Sequence, residues 1–169
     1  FSKLDPAVNF SSIDRDASLV SLGLDPSRRT VLYAPTYYPS SIELMDRRFP
    51  EDCADLNLIV KPHQFSYSAK YIRQIRMLEG WKKSGNVHLA GPDEYNILPF
   101  FSVADVMISD ESSAVFEFAA LGKPVIRNRF ITLRLSYRLF PWKLSKRMDR
   151  DIERYSGVAR DARDYKETL

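Results

Sequence analysis

Residues 104–126 read ADVMISDESSAVFEFAALGKPVI, and the fold turns on this stretch. Asp105–Ile108 is a short apolar, β-prone run. Ser112–Leu121 has helical composition and stops at Gly122, a residue suited to the position just past a helix end. Lys123–Ile126 is β-prone again. Strand, helix and strand in such close succession read as a parallel βαβ unit.

The same alternation runs upstream. Thr30–Ala34 (TVLYA) predicts a strand, entered from the turn Asp25-Pro26-Ser27 and ended by Pro35. Glu43–Phe49 predicts a short helix stopped by Pro50. Leu56–Lys61 (LNLIVK) predicts a second strand, ended by Pro62. Ser68–Trp81 carries apolar residues at 71, 72, 75, 78 and 81, the spacing of one helix face. Val87–Ala90 predicts a third strand, closed by Gly91-Pro92, after which Asp93 is expected to cap a helix carrying Tyr95, Ile97, Leu98 and Phe101. Five β-prone runs separated by helical segments imply an α/β fold, a Rossmann-like parallel sheet sandwiched by helices with right-handed crossovers. Ligands of such sheets bind beyond the carboxyl ends of the strands. That rule selects Pro35–Tyr38, Pro62–Gln64, Gly91–Glu94 and Asp110–Ser113.

Composition narrows the function classes. A chain of 169 residues, 44% hydrophobic, suits one domain with a substantial core. The net charge of +3 is too small to argue for a nucleic-acid partner. Eight of the Arg and Lys residues fall between Arg127 and Arg150, against the single acid Asp149, so the remainder is net acidic. Cys53 is the single cysteine, which excludes an intrachain disulfide and fits a reducing cytosol. No run approaches the ~18 apolar residues of a membrane span, and no signal peptide is read at the start. The first residue is Phe1, not Met, and part of a larger enzyme is expected. Walker, GxGxxG and GxSxG patterns are missing, which argues against P-loop ATPases, ordinary dehydrogenases and α/β-hydrolases.

The candidate residues lie at the strand exits. At Ile108–Glu117 a strand ends, two serines follow and a helix opens. Free N–H groups and the positive dipole end favour a phosphate there, with Ser112 and Ser113 adding hydroxyls and Glu117 in reach of a ribose. The competing reading is an ordinary cap, with Asp110 or Ser112 satisfying its own helix. His63 follows a buried strand and suits proton donation or charge stabilisation at a phosphate, against the alternative of a loop histidine. Thr36 is a hydroxyl donor at the first strand exit or part of a plain turn. Asp93 and Glu94 are placed to meet a base or ribose. His88, inside a strand, is given no chemical role. No metal site is read.

Taken together, Val31–Thr36 (VLYAPT), Ile59–His63 (IVKPH), Ala104–Ser113 (ADVMISDESS) and Leu121–Ile126 (LGKPVI) resemble the CDP-glycerol glycerophosphotransferase family in wording, order and spacing, over roughly residues 20–128. The resemblance implies the C-terminal half of a GT-B transferase: residues 1–128 as the nucleotide-binding domain, and 129–169 as a helical extension packed on it or on an N-terminal partner domain. It further implies transfer of glycerol phosphate from CDP-glycerol to a hydroxyl of a lipid-linked polyol or sugar acceptor during teichoic acid synthesis, with release of CMP and no separate cofactor. On that pattern His63 is the important histidine, Ser112 and Ser113 hold the donor diphosphate, and Glu117 meets the ribose. The expected setting is the cytoplasm, with two readings of the basic, apolar Arg127–Arg150 segment: peripheral contact with the anionic inner face of a membrane, or, the favoured one, a solvated face with its Leu and Trp packed into the core. Glu111 departs from the family, which often has an aromatic there. A carboxylate beside a diphosphate repels it unless it is turned away or neutralised. Two further readings stay open: a GT-B enzyme using a UDP- or GDP-sugar, and a nucleotide-binding module without catalysis.

Overall fold

The computed structural model describes residues 14–131, 133 and 157–169. Six parallel strands form one sheet: β1 (Thr30–Ala34), β2 (Asn57–Val60), β3 (Val87–Leu89), β4 (Val106–Ser109), β5 (Val125–Asn128) and β6 (Arg160–Ala162), in the spatial order β3-β2-β1-β4-β5-β6. The helices are α1 (Arg15–Ser21), α2 (Phe49–Asp52), α3 (Ile72–Trp81), α4 (Leu98–Val103), α5 (Ala114–Ala119) and α6 (Tyr165–Thr168). The chain order reverses between β1 and β4, so the loops leaving these two strands part there and open a crevice at the sheet's carboxyl edge.

The central strands read as continuous apolar runs because both faces are covered. Alternate residues of β1 enter different cores: Val31 and Tyr33 join Leu58, Val60, Ile108, Leu78 and Trp81, while Leu32 and Ala34 join Ile59, Met107, Phe101, Val115 and Phe118. In the first core Tyr33, Phe49 and Trp81 meet edge to face, with centroids 5.6, 6.0 and 5.7 Å apart. Opposite the site, Asp105 accepts the Thr30 N–H at 2.7 Å and the Arg15 guanidinium at 3.3 Å, pinning the entry of β1 beside that of β4. Lys123 of the LGKPV segment donates to the carbonyls of Phe101, Ser102 and Ala104, capping the end of α4.

Four expectations are corrected. Pro50 does not stop a helix; it sits in the first turn of α2, where its missing N–H has no intrahelical use. Asp93 does not cap a helix: residues 93–97 are loop, and α4 opens at Leu98, whose N–H is taken by Asn96 Oδ1 at 3.0 Å. Asp110 does not cap α5, since its carboxylate turns to the β1 exit instead. The tail is not wholly helical either. Arg160–Ala162 is the sixth strand, held by Asp161 accepting from Arg127 at 2.7 and 3.0 Å, and among the described tail residues only Tyr165–Thr168 are helical. Most of the Arg127–Arg150 segment lies outside the described residues. Among those described, no helix is long and apolar enough to cross a membrane.

Candidate functional site

The crevice at the strand reversal is stitched by side chains. Ser109 Oγ donates to Ala34 O at 2.6 Å. Asp110 Oδ2 accepts from Thr36 N at 3.0 Å, Thr36 Oγ1 at 3.1 Å and Ser41 N at 3.2 Å. Ser41 Oγ also meets the Tyr33 hydroxyl and Asn128 Nδ2, and Asn128 Oδ1 accepts from Thr168, so a buried polar chain links the crevice to α6. Asp110 is itself buried, and its Oδ1 has no partner among the described residues. Burial pushes its carboxyl up to about 6, against the opposing pull of the Ser41 and Thr36 bonds.

Two hollows open on this edge and adjoin at Thr36 and His63. One, of ≈ 180 Å³, is lined by Thr36, Lys61, His63, Tyr95 and Ser112 among others. The other, of ≈ 250 Å³, lies toward Tyr37, Tyr38, Asp110 and Glu111. His63 Nδ1 accepts the Phe65 N–H at 3.2 Å, which leaves the proton of the neutral ring on Nε2 as a donor. Partial burial, then the Lys61 ammonium, hold the imidazole below its ordinary value, so it is neutral at pH 7 before any anion binds. Its ring packs at 4.8 Å from Tyr37 and 5.1 Å from Phe65. The single proton of the Thr36 hydroxyl is shared between Asp110 Oδ2 and Pro39 O, so it is engaged within the protein.

The structure thus gathers Thr36, His63 and Ser112 from three strand exits around one hollow. Asp93 and Glu94 line a neighbouring cavity of ≈ 570 Å³ that shares Tyr95 with it. Glu94 turns inward, accepting the Gly91 N–H at 2.6 Å and lying 3.6 Å from His88 Nε2, whereas Asp93 is exposed. Ser113 is exposed at the start of α5, and Glu117 is half-buried one turn on; neither lines these hollows. Ser112 Oγ accepts the Ala114 N–H at 3.3 Å.

Two residues were missed. Lys61, expected as a strand end and as part of the Lys-Pro-His segment but given no role of its own, brings an ammonium to the His63 hollow; burial lowers its pKa and Glu94 opposes that. Tyr95 was read as a helix residue but stands 70% exposed in a loop, with its ring at both cavities. The signal available for each was its position one or a few residues past a strand.

Glu111 pairs with Arg129, which also lies 4.0 Å from Asp161. The carboxylate that would repel a diphosphate is therefore neutralised by the chain just past β5. Arg129→Ala is expected to lower the affinity for an anionic nucleotide about tenfold by exposing that charge. The double change E111Q/R129A is expected to restore it, and calorimetric titration of the three proteins reads the difference.

Six parallel strands in this order, with the crevice at the reversal, define a Rossmann-like α/β fold of the class that binds ligands at the strand exits. The chain belongs to the CDP-glycerol:poly(glycerophosphate) glycerophosphotransferase family, whose model matches residues 3–130. A variant of the wall teichoic acid polymerase TagF soaked with CDPG superposes with a TM-score of 0.59 at 18% identity, over 75% of this chain and 30% of that one. A second TagF structure gives 0.54 at 18%, over 86% and 33%. A glycosyltransferase from Rickettsia africae ESF-5 gives 0.58 at 10%, over 94% and 40%. At such identities the likeness is one of fold, and the chain spans about a third of the TagF chains. A comparison with curated proteins gives no match.

Proposed function

We propose that this domain binds the donor of a transferase that moves glycerol phosphate, or a similar polyol phosphate, from a CDP-alcohol to a hydroxyl acceptor in the synthesis of teichoic acid or a related polymer. The observation that carries the reading is the convergence of Lys61, His63 and Ser112 on one hollow at the strand reversal, in a chain of this family. The donor diphosphate lies against Lys61 and Ser112, with the ribose and base toward Tyr95, Asp93 and Glu94. The polyol phosphate faces His63. An acceptor hydroxyl oxygen attacks the phosphorus that carries the polyol, the bond to the bridging oxygen breaks, and CMP leaves with that bonding pair. His63 Nε2–H hydrogen-bonds the phosphate as negative charge moves onto the leaving group, and the Lys61 ammonium stabilises the same charge. The acceptor's proton passes to a base on the facing domain of the GT-B enzyme, where the lipid-linked acceptor also docks.

A thermal-shift panel of CDP-glycerol, CDP, UDP, GDP and ADP tests the donor class. The cytidine nucleotides are expected to raise the unfolding midpoint most, because a ligand that binds only the folded state stabilises it by mass action. A larger shift with UDP or GDP would hand the site to a nucleotide-sugar donor. Calorimetry showing no binding of any of the five at millimolar concentration would sink the nucleotide reading itself.

A further inference from the structure

On the sheet face that carries α2 and α3, the segment 43–47 and α3 enclose an open cavity of ≈ 690 Å³ that shares no lining residue with the two strand-exit hollows. Met45, Met77, Gly80 and Trp81 supply its apolar part, and Arg47, Arg73 and Arg76 its charge, with Glu43 as the one acid lining it among the described residues. Arg73 and Arg76 stand three apart on α3, on the stripe that continues through Met77 to Gly80. All three arginines are exposed, and among the described residues none has an ion pair or hydrogen bond. Several other arginines of the domain are engaged: Arg15 by Asp105, Arg28 by Asp25 and the Ala54 carbonyl, Arg127 by Asp161, Arg129 by Glu111. Three guanidinium groups facing the single carboxylate of Glu43 leave the cavity net positive, and a bound anion relieves the repulsion among them. Their planar donor pairs match phosphate oxygens.

The cavity is joined to the site. Tyr71, at the start of α3, packs its ring 6.0 Å from Tyr37 and 6.5 Å from Tyr38, and Gln74 donates to the Tyr37 carbonyl at 2.8 Å. Tyr37 and Tyr38 wall the hollow that His63 shares. The arginines therefore begin about one helical turn from that wall.

We infer that this cavity binds phosphodiester groups of the polymer that serves as acceptor, holding the chain behind the end that reacts near His63. The identity of the polymer rests on the proposed function; the binding of a phosphodiester chain rests on the arginines. A repeating phosphodiester presents one negative charge per unit, which suits cations spread along a concave wall.

The test uses the 169-residue chain, a short fluorescent glycerol phosphate oligomer read by anisotropy, and CDP-glycerol read by calorimetry. The R47A/R73A/R76A variant is expected to lose about tenfold or more in oligomer affinity. The slope of log affinity against log salt is expected to fall by about two, as the loss of three phosphate contacts predicts. CDP-glycerol affinity and the unfolding midpoint should hold, since these exposed side chains anchor nothing in the protein. R47K/R73K/R76K, which keeps the charges, should recover most of the binding. Oligomer affinity equal to that of the parent overturns the inference. So does a loss confined to vesicles containing phosphatidylglycerol, which would make this face a lipid contact. Arginine-dependent oligomer binding without CDP-glycerol binding would defeat the donor reading and leave the polyanion site. Normal CDP-glycerol binding with arginine-independent oligomer binding would defeat the inference alone.

Discussion

His63→Ala in the complete transferase is expected to lower the rate of polyol phosphate transfer by about 10²–10³-fold, with a smaller loss in donor affinity. The asymmetry follows from where the charge moves. In the bound donor the diphosphate already meets Lys61 and Ser112, so one lost hydrogen bond weakens binding modestly. As the bond to CMP breaks, negative charge grows near the Nε2–H, and its removal is felt most there. A pH profile separates this role from a structural one. The free imidazole is held below its ordinary value by partial burial and Lys61, so it is neutral at pH 7. A bound diphosphate favours the protonated ring, so CDP-glycerol affinity should climb as pH falls below about 6.5. CDP-glycerol is the right probe because its diphosphate is esterified at both ends and takes up no proton in this range. In His63→Ala the climb should shrink to the part contributed by Asp110, which titrates at about 6 on the adjoining hollow. Transfer within about threefold of the parent, or an unchanged pH profile of binding, would remove His63 from the phosphate.

What could be read in advance depended on whether the deciding contact was local. β1 was legible residue for residue because a strand covered on both faces is an unbroken apolar run, and its partners impose nothing further. β5 was read two residues early. Lys123 looks like the strand's first residue, but its ammonium closes the end of α4, and the strand begins past Pro124. Arg127 and Asn128 lie past the expected strand, which ends at Ile126. They are buried because Asp161 and Thr168, far along the chain, satisfy them, and no local pattern shows that. The same holds for β6, three residues whose strand state follows from pairing with β5. At the site, the strand-exit rule located Thr36, His63 and Ser112 because topology alone brings those exits together. It could not show that Arg129 neutralises Glu111, nor that the Asp110 carboxylate reaches back to a loop 74 residues earlier.

That last contact carries the second large expected effect: Asp110→Ala should destabilise the domain by about 3–5 kcal/mol, while Asp110→Asn matches the parent near pH 4 and exceeds it at pH 7. Alanine removes the acceptor of three donors at the seam between the β1 and β4 exits, and Ser41, one of the two residues supplying them, also anchors the polar chain from Tyr33 to Thr168. Asparagine keeps an acceptor oxygen for those donors and removes a charge that burial disfavours. The pH dependence gives the sign. The carboxyl titrates at about 6 in the folded protein, above the ~3.9 of an unfolded aspartate. Its proton is therefore held more tightly in the folded state, and the resulting stability is full below pH ~4 and lost as pH rises through about 6. Other groups titrate alike in parent and Asp110→Asn and cancel in the difference. Across that window the asparagine variant should gain on the parent by up to roughly 3 kcal/mol. Denaturant unfolding of all three proteins between pH 4 and 7 reads this directly. Parallel curves for parent and Asp110→Asn would show that the carboxyl does not titrate there, and an alanine variant as stable as the parent would show that the seam holds without it.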